Sequence, residues 1–571
     1  MSDKRNMIMA MLLSALVLLG WTFVSDRFFP TPKPVATQQV DKPKPATDAK
    51  PAAGPTASGT RPLSVVLAET QRVTVDTPSL VGSINLKGAR IDDLSMVRQR
   101  ETVDPKSPPV RLLSPAGAAG SNFAQFGWVG APGSVPDANS VWTASATTVA
   151  PGKPVTLTWS NDSGQTFQQI ISIDDGYMFT VQQKVINKGS GAVTLRNYGL
   201  DSRSEKSKDP STWTNHVGPI SFLGGAADYD VKWDTLDENK AGITKDSRGG
   251  WLGFTDKYWL TALVPASGSP IEASLRKSDS GAYQADFSGQ SYAVAPGTTV
   301  SGTSRYFAGA KEKAMLDRYE GEGVSKISKS IDWGWFEWFM RPIFALLLWL
   351  FHKTGNFGVA IICLTFIVRG LMYPVADKQF RSMAGMRRVQ PKMKEIQEKY
   401  KDDKVKLQSE MLELYKREKI NPAAGCLPML LQIPVFYALY KVLTVSVDMR
   451  HQPFALWIKD LSAPDPASLL TLAHHFGWTW FPPFLGLSVL AVLLGVTMWM
   501  QFRLNPQQMD PTQQQIFSIM PWVLMFVMAP FAAGLQLYWV VSNILTIAQQ
   551  KWLYYRYDHE LNPDGRELVA K

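Results

Sequence analysis

One arginine stands where charge is expensive. Residues 356–374 read NFGVAIICLTFIVRGLMYP, apolar apart from Arg369 and a few small polar side chains. At about 1.5 Å per residue, such a run crosses, or nearly crosses, a hydrocarbon core of about 30 Å. Arg369 falls about five residues, or about 7.5 Å, before its C-terminal end. A charge at that depth costs at least about 2.5 kcal/mol on insertion scales. Two arrangements offset it. A long side chain near a helix end can lift its head to the interface. Alternatively, the guanidinium lines a water-filled cavity, where it can attract an anionic group.

The other polar residues in apolar runs bear on that choice. Thr365 lies four residues before Arg369 and shares its helix face. Gln432 lies about six residues into the next apolar run. In the last run Gln536, Trp539, Asn543, Thr546 and Gln550 follow at spacings of 3, 4, 3 and 4, with Ser542 and Gln549 flanking that face. If the runs alternate in direction, Arg369, Gln432 and Asn543 all lie about 7–10 Å from the same membrane face. That pattern fits a hydrated cavity open on one side. The plainer alternative is interhelical hydrogen bonding, worth about 0.6 kcal/mol per bond. It suits Asn543 or Gln432 alone. It suits Arg369 poorly, because no Asp or Glu occurs in any of the six apolar runs. Met498, Met500, Met520, Met525 and Met528 fit either a soft apolar wall beside the cavity or ordinary lipid-facing filler.

No catalytic signature accompanies these residues. Phosphate-loop, zinc-protease and nucleophile-elbow patterns are absent. The six histidines form no ligand set, and the adjacent pair His474 and His475 reads as solvated at an interface. Cys363 and Cys426 both lie in or beside apolar segments and suit neither a disulfide nor a metal. No catalytic residue, metal or cofactor is therefore expected. Carboxylates scattered through the polar half leave room for a sugar-active pair, but nothing marks one.

The elements that must position these residues follow from the 571-residue chain. Its net charge of +10 suits a nucleic acid or a membrane partner, and the basic residues cluster beside the apolar runs, which favours the membrane over DNA. Residues 1–29 carry Lys4 and Arg5, then an uncharged run ending in Trp21 and Phe23, and read as an uncleaved anchor helix. Residues 30–62 hold eight prolines and make an extended linker. Residues 63–330 alternate polar and β-branched residues between Gly, Asn, Asp and Pro, the pattern of a β-sandwich; 310–329 reads as helical. Residues 331–355, rich in Trp and Phe and interrupted by Pro342, read as an interfacial helix; were they a span, everything after them would invert.

Charge decides the direction. Residues 374–425 carry thirteen Lys or Arg and eight Asp or Glu, whereas 448–482 carry only Arg450 and Lys459 as cations. Excess positive charge marks the inner face, so 375–425 lie inside and 448–482 outside with the β domain. Within 375–425, Val389, Met393, Ile396 and Tyr400, then Leu407, Met411 and Leu414, predict a helical hairpin with an apolar seam, with Pro391 restarting its first arm. Spans at 427–447, 484–502, 516–530 and 534–550 follow within 426–555. A polar tail closes the chain over 556–571. The expected fold is a six-span α-helical membrane protein with both termini inside, a large outer β-sandwich domain and an inner helical hairpin.

The segments TFIVRGLMYP, KINPAAGCLPMLLQIPVFYALY, FALWIKDLSAPDP and GLQLYWVVSNILTIAQQ closely resemble the YidC/Oxa/Alb membrane protein insertases across 330–555. The anchor and outer domain resemble the Gram-negative bacterial form, with GGWLGFTDKYWLTALVP the clearest match. The resemblance implies a five-helix core enclosing a hydrophilic groove, open to the cytoplasm and to lipid, that inserts and folds inner-membrane proteins. It implies a supersandwich-like periplasmic domain, nascent membrane proteins as clients, and the Sec translocon, the ribosome and the bilayer as partners. Arg369 and Thr365 match groove positions of the family. Trp539 stands where many relatives carry Tyr. Two rivals are a transporter with Arg369 as its anion site, which needs a polar path outward, and a membrane-anchored sugar enzyme, which needs a carboxylate or His constellation. Single cysteines in 65–318 and 448–482 are expected to react with an impermeant reagent in intact cells, and those in 374–425 to stay unlabelled. Labelling of the hairpin from outside contradicts the six-span topology.

Overall fold

The computed structural model describes residues 60–561 apart from 210, 212–214, 335, 401–402, 419–426, 469–470, 472–476, 478–486 and 505–510. The anchor at 1–29 and nearly all of the 30–62 linker lie outside the described residues.

Alternation in the sequence becomes two packed sheets. One has ten strands, with Tyr283–Val294, Val193–Arg203 and Asn122–Val129 at its centre. The other has nine, with Thr299–Ala310, Met178–Asn187 and Gln165–Ile173 adjacent and antiparallel. Every second residue of Gln165–Ile173 is buried, so Phe167, Ile171 and Ile173 face the opposite sheet while the intervening side chains do not. This is the sandwich that the alternation predicts. The expected helix over 310–329 is shorter: strand Thr299–Ala310 precedes a helix at Lys313–Gly321 and a 3-10 turn at Ile327–Ser330. The first sheet partner, strand Trp259–Val264, pairs with Thr299–Ala310 and holds that segment extended.

A helical core follows. The helix expected to be interfacial runs Glu337–Thr354 through Pro342 and buries Met340, Phe344, Leu347 and Leu350 along one face. Trp338 and Trp349 are exposed on the other. Gly355 ends it in the left-handed region at φ 67°, and its N–H donates to the Phe351 carbonyl at 2.7 Å. Asn356 then caps the arginine helix, Phe357–Leu371, accepting from the N–H groups of Gly358 and Val359. Gly358 must lack a side chain, because a Cβ there would lie 2.0 Å from Cδ2 of Phe454. The loop after helix Leu427–Val445 packs on the helix at that point, and Asn356 Nδ2 donates to the Phe454 carbonyl at 2.8 Å.

The hairpin helices are Tyr373–Lys399 and Lys404–Arg417. The first continues through position 391, so no restart occurs there. Val389, Met393 and Leu414 form the buried seam, with Ile396, Met411 and Tyr415 against it. Apolar helices Leu427–Val445, Val489–Leu504, Pro511–Met528 and Ala533–Leu561 complete the core. Among the described residues one helical run, Phe357–Phe380, is long and apolar enough to cross a membrane; Leu431–Val445, Val489–Leu504 and Ser518–Met528 are shorter apolar segments. The final helix continues eleven residues past the expected end at Gln550, into the segment read as tail. Its extension has a partner: Leu553 packs with Phe380, and the Trp552 ring lies 6.0 Å from that of Tyr373 at the base of the hairpin.

The β domain is tied to the core by a cation that sequence reasoning passed over. Lys441, in helix Leu427–Val445, is only 1% exposed, and its Nζ donates to the Asp332 carbonyl and lies 3.8 Å from the Asp332 carboxylate. Asp332 also accepts the backbone N–H groups of Gly334 and, from the β domain, His216. Lys441→Met is expected to cost about 1.5–3 kcal/mol locally, the worth of a hydrogen bond to a charged group. Hydrogen exchange over 329–340 in the full-length protein should accelerate by one to two orders of magnitude, about 1.4 kcal/mol per factor of ten. Unchanged exchange contradicts a clasp at this position.

Candidate functional site

Arg369 meets the final helix. Its Nε donates to Ser542 Oγ at 3.1 Å, and a second guanidinium nitrogen donates to the same hydroxyl. Tyr538 stands one turn before Ser542 on the same face of that helix. The Tyr538 hydroxyl accepts from Nε2 of Gln432, which brings helix Leu427–Val445 into the chain of contacts. Three helices thus converge through Arg369, Ser542, Tyr538 and Gln432. Among the described residues no carboxylate pairs with Arg369. Gln432 Oε1 is buried and has no hydrogen-bond partner. A half-buried cation that, among the described residues, is bonded only by a hydroxyl, beside an orphaned amide oxygen, is a site in want of water or a passing polar group.

The remaining candidates divide by what holds them. Trp539 packs its ring on Phe436 at 4.9 Å, edge to face. Asn543 turns to a different neighbour, donating to Thr497 Oγ1 of helix Val489–Leu504 at 3.1 Å. Thr365 is wholly buried, and its hydroxyl donates to the Ile361 carbonyl of its own helix at 2.7 Å rather than facing the site as a free donor. Thr546 does the same toward Ser542, again at 2.7 Å. Gln536 is also fully buried; its amide nitrogen donates to the carbonyls of Met528, Ala529 and Phe531 at 2.8–3.2 Å. It caps the end of the preceding helix. Met525 and Met528 are buried, Met525 against Gly495, whereas Met500 is exposed.

Tyr538 is the residue that the spacing argument missed. At about 100° per residue, the stripe of Tyr538, Ser542 and Gln549 lies about 100° round the helix from that of Gln536, Trp539, Asn543 and Thr546. Arg369 faces the first stripe. The signal was available: Tyr538 is four residues before Ser542, on the same face. No cluster of three His, Cys, Asp or Glu able to hold a metal occurs among the described residues.

A β-sandwich joined to a bundle of apolar helices, with a cation between three of them that no described carboxylate pairs, defines a membrane-embedded protein with a large domain on one face. The family model described as the YidC periplasmic domain matches residues 72–346, and that of the 60Kd inner membrane protein matches 349–560. A membrane protein insertase YidC from Zymomonas mobilis is 44% identical over 582 residues, covering 100% of this chain and 98% of the relative. One from Rhizobium etli is 44% identical over 583 residues, with 98% and 96% covered. The chain belongs to the YidC family of membrane protein insertases, inner-membrane proteins with a periplasmic domain. Neither the transporter nor the sugar-enzyme alternative finds support in these relatives. A crystal structure titled as an active YidC insertase is 18% identical, covers 84% of this chain and 92% of its own, and superposes at a TM-score of 0.36. A galactose mutarotase related enzyme from Lactobacillus acidophilus, 9% identical and covering 42% of this chain and 97% of its own, reaches a TM-score of 0.27. Both likenesses are too slight to bear on the argument.

Tyr538→Phe removes the acceptor of the Gln432 amide and a neighbour of Ser542. It is expected to lower the stability of the helical core by about 1–3 kcal/mol, the cost of leaving a buried polar group unpaired. Thr546→Val, which deletes a hydroxyl bonded only within its own helix, should cost less than about 1 kcal/mol. Thermal unfolding of the two variants in one detergent checks the order, and equal effects contradict it.

Proposed function

We propose that the chain inserts and folds inner-membrane proteins through a hydrated groove whose cation is Arg369, alone or beside a Sec translocon. The observation that carries this reading is the guanidinium bonded, among the described residues, to Ser542 alone, next to the unpartnered Oε1 of Gln432. In this reading six helices span the bilayer, both termini and the hairpin lie in the cytoplasm, and the β domain lies in the periplasm. The groove opens to the cytoplasm and to lipid. Nascent chains arrive from the ribosome near the basic hairpin and tail.

The physics needs no fuel. Water in the groove shortens the hydrocarbon path that a client's polar end must cross. The client's apolar segment then partitions into lipid, favourable by about 25 cal/mol per Å2 of apolar surface removed from water. Arg369 attracts acidic side chains of the short translocated tail, and the attraction is strongest where water is scarce. Arg369, Gln432 and Ser542 serve this substrate-binding role directly, with Tyr538 positioning Gln432 and Trp539 forming part of the wall. Asn543, Thr365, Gln536 and Thr546 hold the wall helices in place.

Charge at position 369 then matters more than shape. Arg369→Lys is expected to retain insertion, since a point charge suffices for a passing tail. Arg369→Ala should slow insertion of acidic-tail clients by roughly tenfold or more, a loss of at least about 1.4 kcal/mol of attraction. Arg369→Glu should slow it further, and neutral-tail clients should suffer less from both. An insertion assay with protein abundance measured alongside checks this. Full insertion of an acidic-tail client by the Glu variant ends the electrostatic account, and loss of abundance in the Lys and Ala variants makes Arg369 a structural donor.

A further inference from the structure

A second site lies at the other end of the core. A cavity of about 440 Å3 forms where the turn after strand Arg90–Arg100, the C-terminal end of the interfacial helix and the loop after helix Leu427–Val445 meet. That volume is within the range of small-molecule sites. Its wall carries both signs: Arg98, Arg100 and Arg450 against Asp104, Glu312 and Asp448. These cancel, three against three, so a simple anion gains little, whereas a molecule carrying one charge of each sign is complemented.

The charges are held in place. Arg450 donates to the carbonyls of Arg100 at 2.7 Å and Glu101 at 3.1 Å, and its guanidinium lies 5.4 Å from the Trp259 ring centroid. Glu312 accepts from the Tyr177 hydroxyl at 2.7 Å, and Asp448 from Ser446 Oγ at 3.1 Å. Burial raises both carboxyls above the ordinary carboxylate range, so a cation in the pocket would favour their ionised form. Arg98 is exposed at the mouth. The third wall is apolar, made by Leu348, Phe351 and Phe357. It continues into the interfacial helix, whose exposed Trp338 and Trp349 are of the type that gathers at a membrane surface.

We propose that this pocket holds the headgroup of a zwitterionic glycerophospholipid of the outer leaflet. Its phosphate faces Arg98 and Arg450, its ammonium faces Glu312 and Asp448, and its chains descend past Leu348 and Phe351. The lipid would seat the interfacial helix and the β domain on the bilayer together. This rests on the topology proposed above, with the β domain in the periplasm.

Native mass spectrometry of the full-length protein tests it, with phosphatidylethanolamine and phosphatidylglycerol of identical chains offered at equal concentration. The expected preference for phosphatidylethanolamine is about fivefold, or about 1 kcal/mol, the worth of one partly exposed ion pair. Glu312→Gln with Asp448→Asn should abolish the preference while phosphatidylglycerol still binds. Arg98→Glu, at an exposed position, should weaken both lipids. Equal retention by the wild type, preference for phosphatidylglycerol, a preference indifferent to the double variant, or occupancy by a soluble acidic peptide with the lipid displaced each overturns the proposal. In a background lacking Cys363 and Cys426, Val103→Cys is tested with an impermeant thiol reagent on intact cells. Labelling without lipid preference defeats the lipid site alone, and absence of labelling defeats the topology on which it stands.

Discussion

A guanidinium held among apolar helices by one hydroxyl sets the terms for the rest of the molecule. An arginine paired with a carboxylate would be a closed interaction, costly to open and indifferent to anything passing by. Arg369 has Ser542 instead, and one turn away on the same face Tyr538 receives Gln432. Each link is neutral apart from the first. The field of the cation is left uncancelled, and an acidic group entering near it gains more attraction than it would in bulk water. The surroundings must then do two things: keep the helices apart enough to admit water, and keep them from drifting.

The fixed points lie at the two ends of the bundle. At one end Asn356 caps the arginine helix and binds the loop that carries Phe454, Gly358 lets Phe454 close on it, and Gln536 seals the end of the neighbouring helix. Lys441 and Asp332 fasten that end to the β domain, so the sandwich acts as a brace on the helices it touches. At the other end Phe380, Leu553, Tyr373 and Trp552 join the hairpin to the final helix. Between these ends, around Arg369, the polar contacts are incomplete, as the unpaired oxygen of Gln432 records. An insertase needs a rigid frame round a soft passage, and the distribution of satisfied and unsatisfied polar groups has that form.

Much of this was legible in the sequence. Strand alternation predicted the sandwich, and the apolar periodicity of Val389, Met393, Ile396, Met411 and Leu414 predicted the hairpin seam. Arg369 announced itself by its cost. What stayed hidden was direction. Residues sharing one face of the last helix were grouped by spacing, but which stripe meets Arg369 depends on helix rotation, which only packing fixes. Thr365 and Gln536 are polar and well spaced, yet the Thr365 hydroxyl and the Gln536 amide nitrogen donate to backbone carbonyls, and Gln536 Oε1 accepts from Ser488. Lys441 escaped notice because its partner, Asp332, lies 109 residues earlier in the chain. The length of the final helix was underestimated because its continuation is held by tertiary contacts with Phe380 and Tyr373 rather than by its own hydrophobicity.

The central claim is that the cluster round Arg369 is wet and open to the cytoplasm. Replacing Gln432 by Cys in a chain without Cys363 and Cys426 puts one thiol beside it. Inverted membrane vesicles, which expose the cytoplasmic face, would be treated with a small charged thiol reagent that cannot cross the bilayer, and right-side-out vesicles treated alongside. The account predicts rapid modification in the inverted vesicles and none in the others. A thiol unreactive from both sides, or reached only from the periplasmic face, contradicts it.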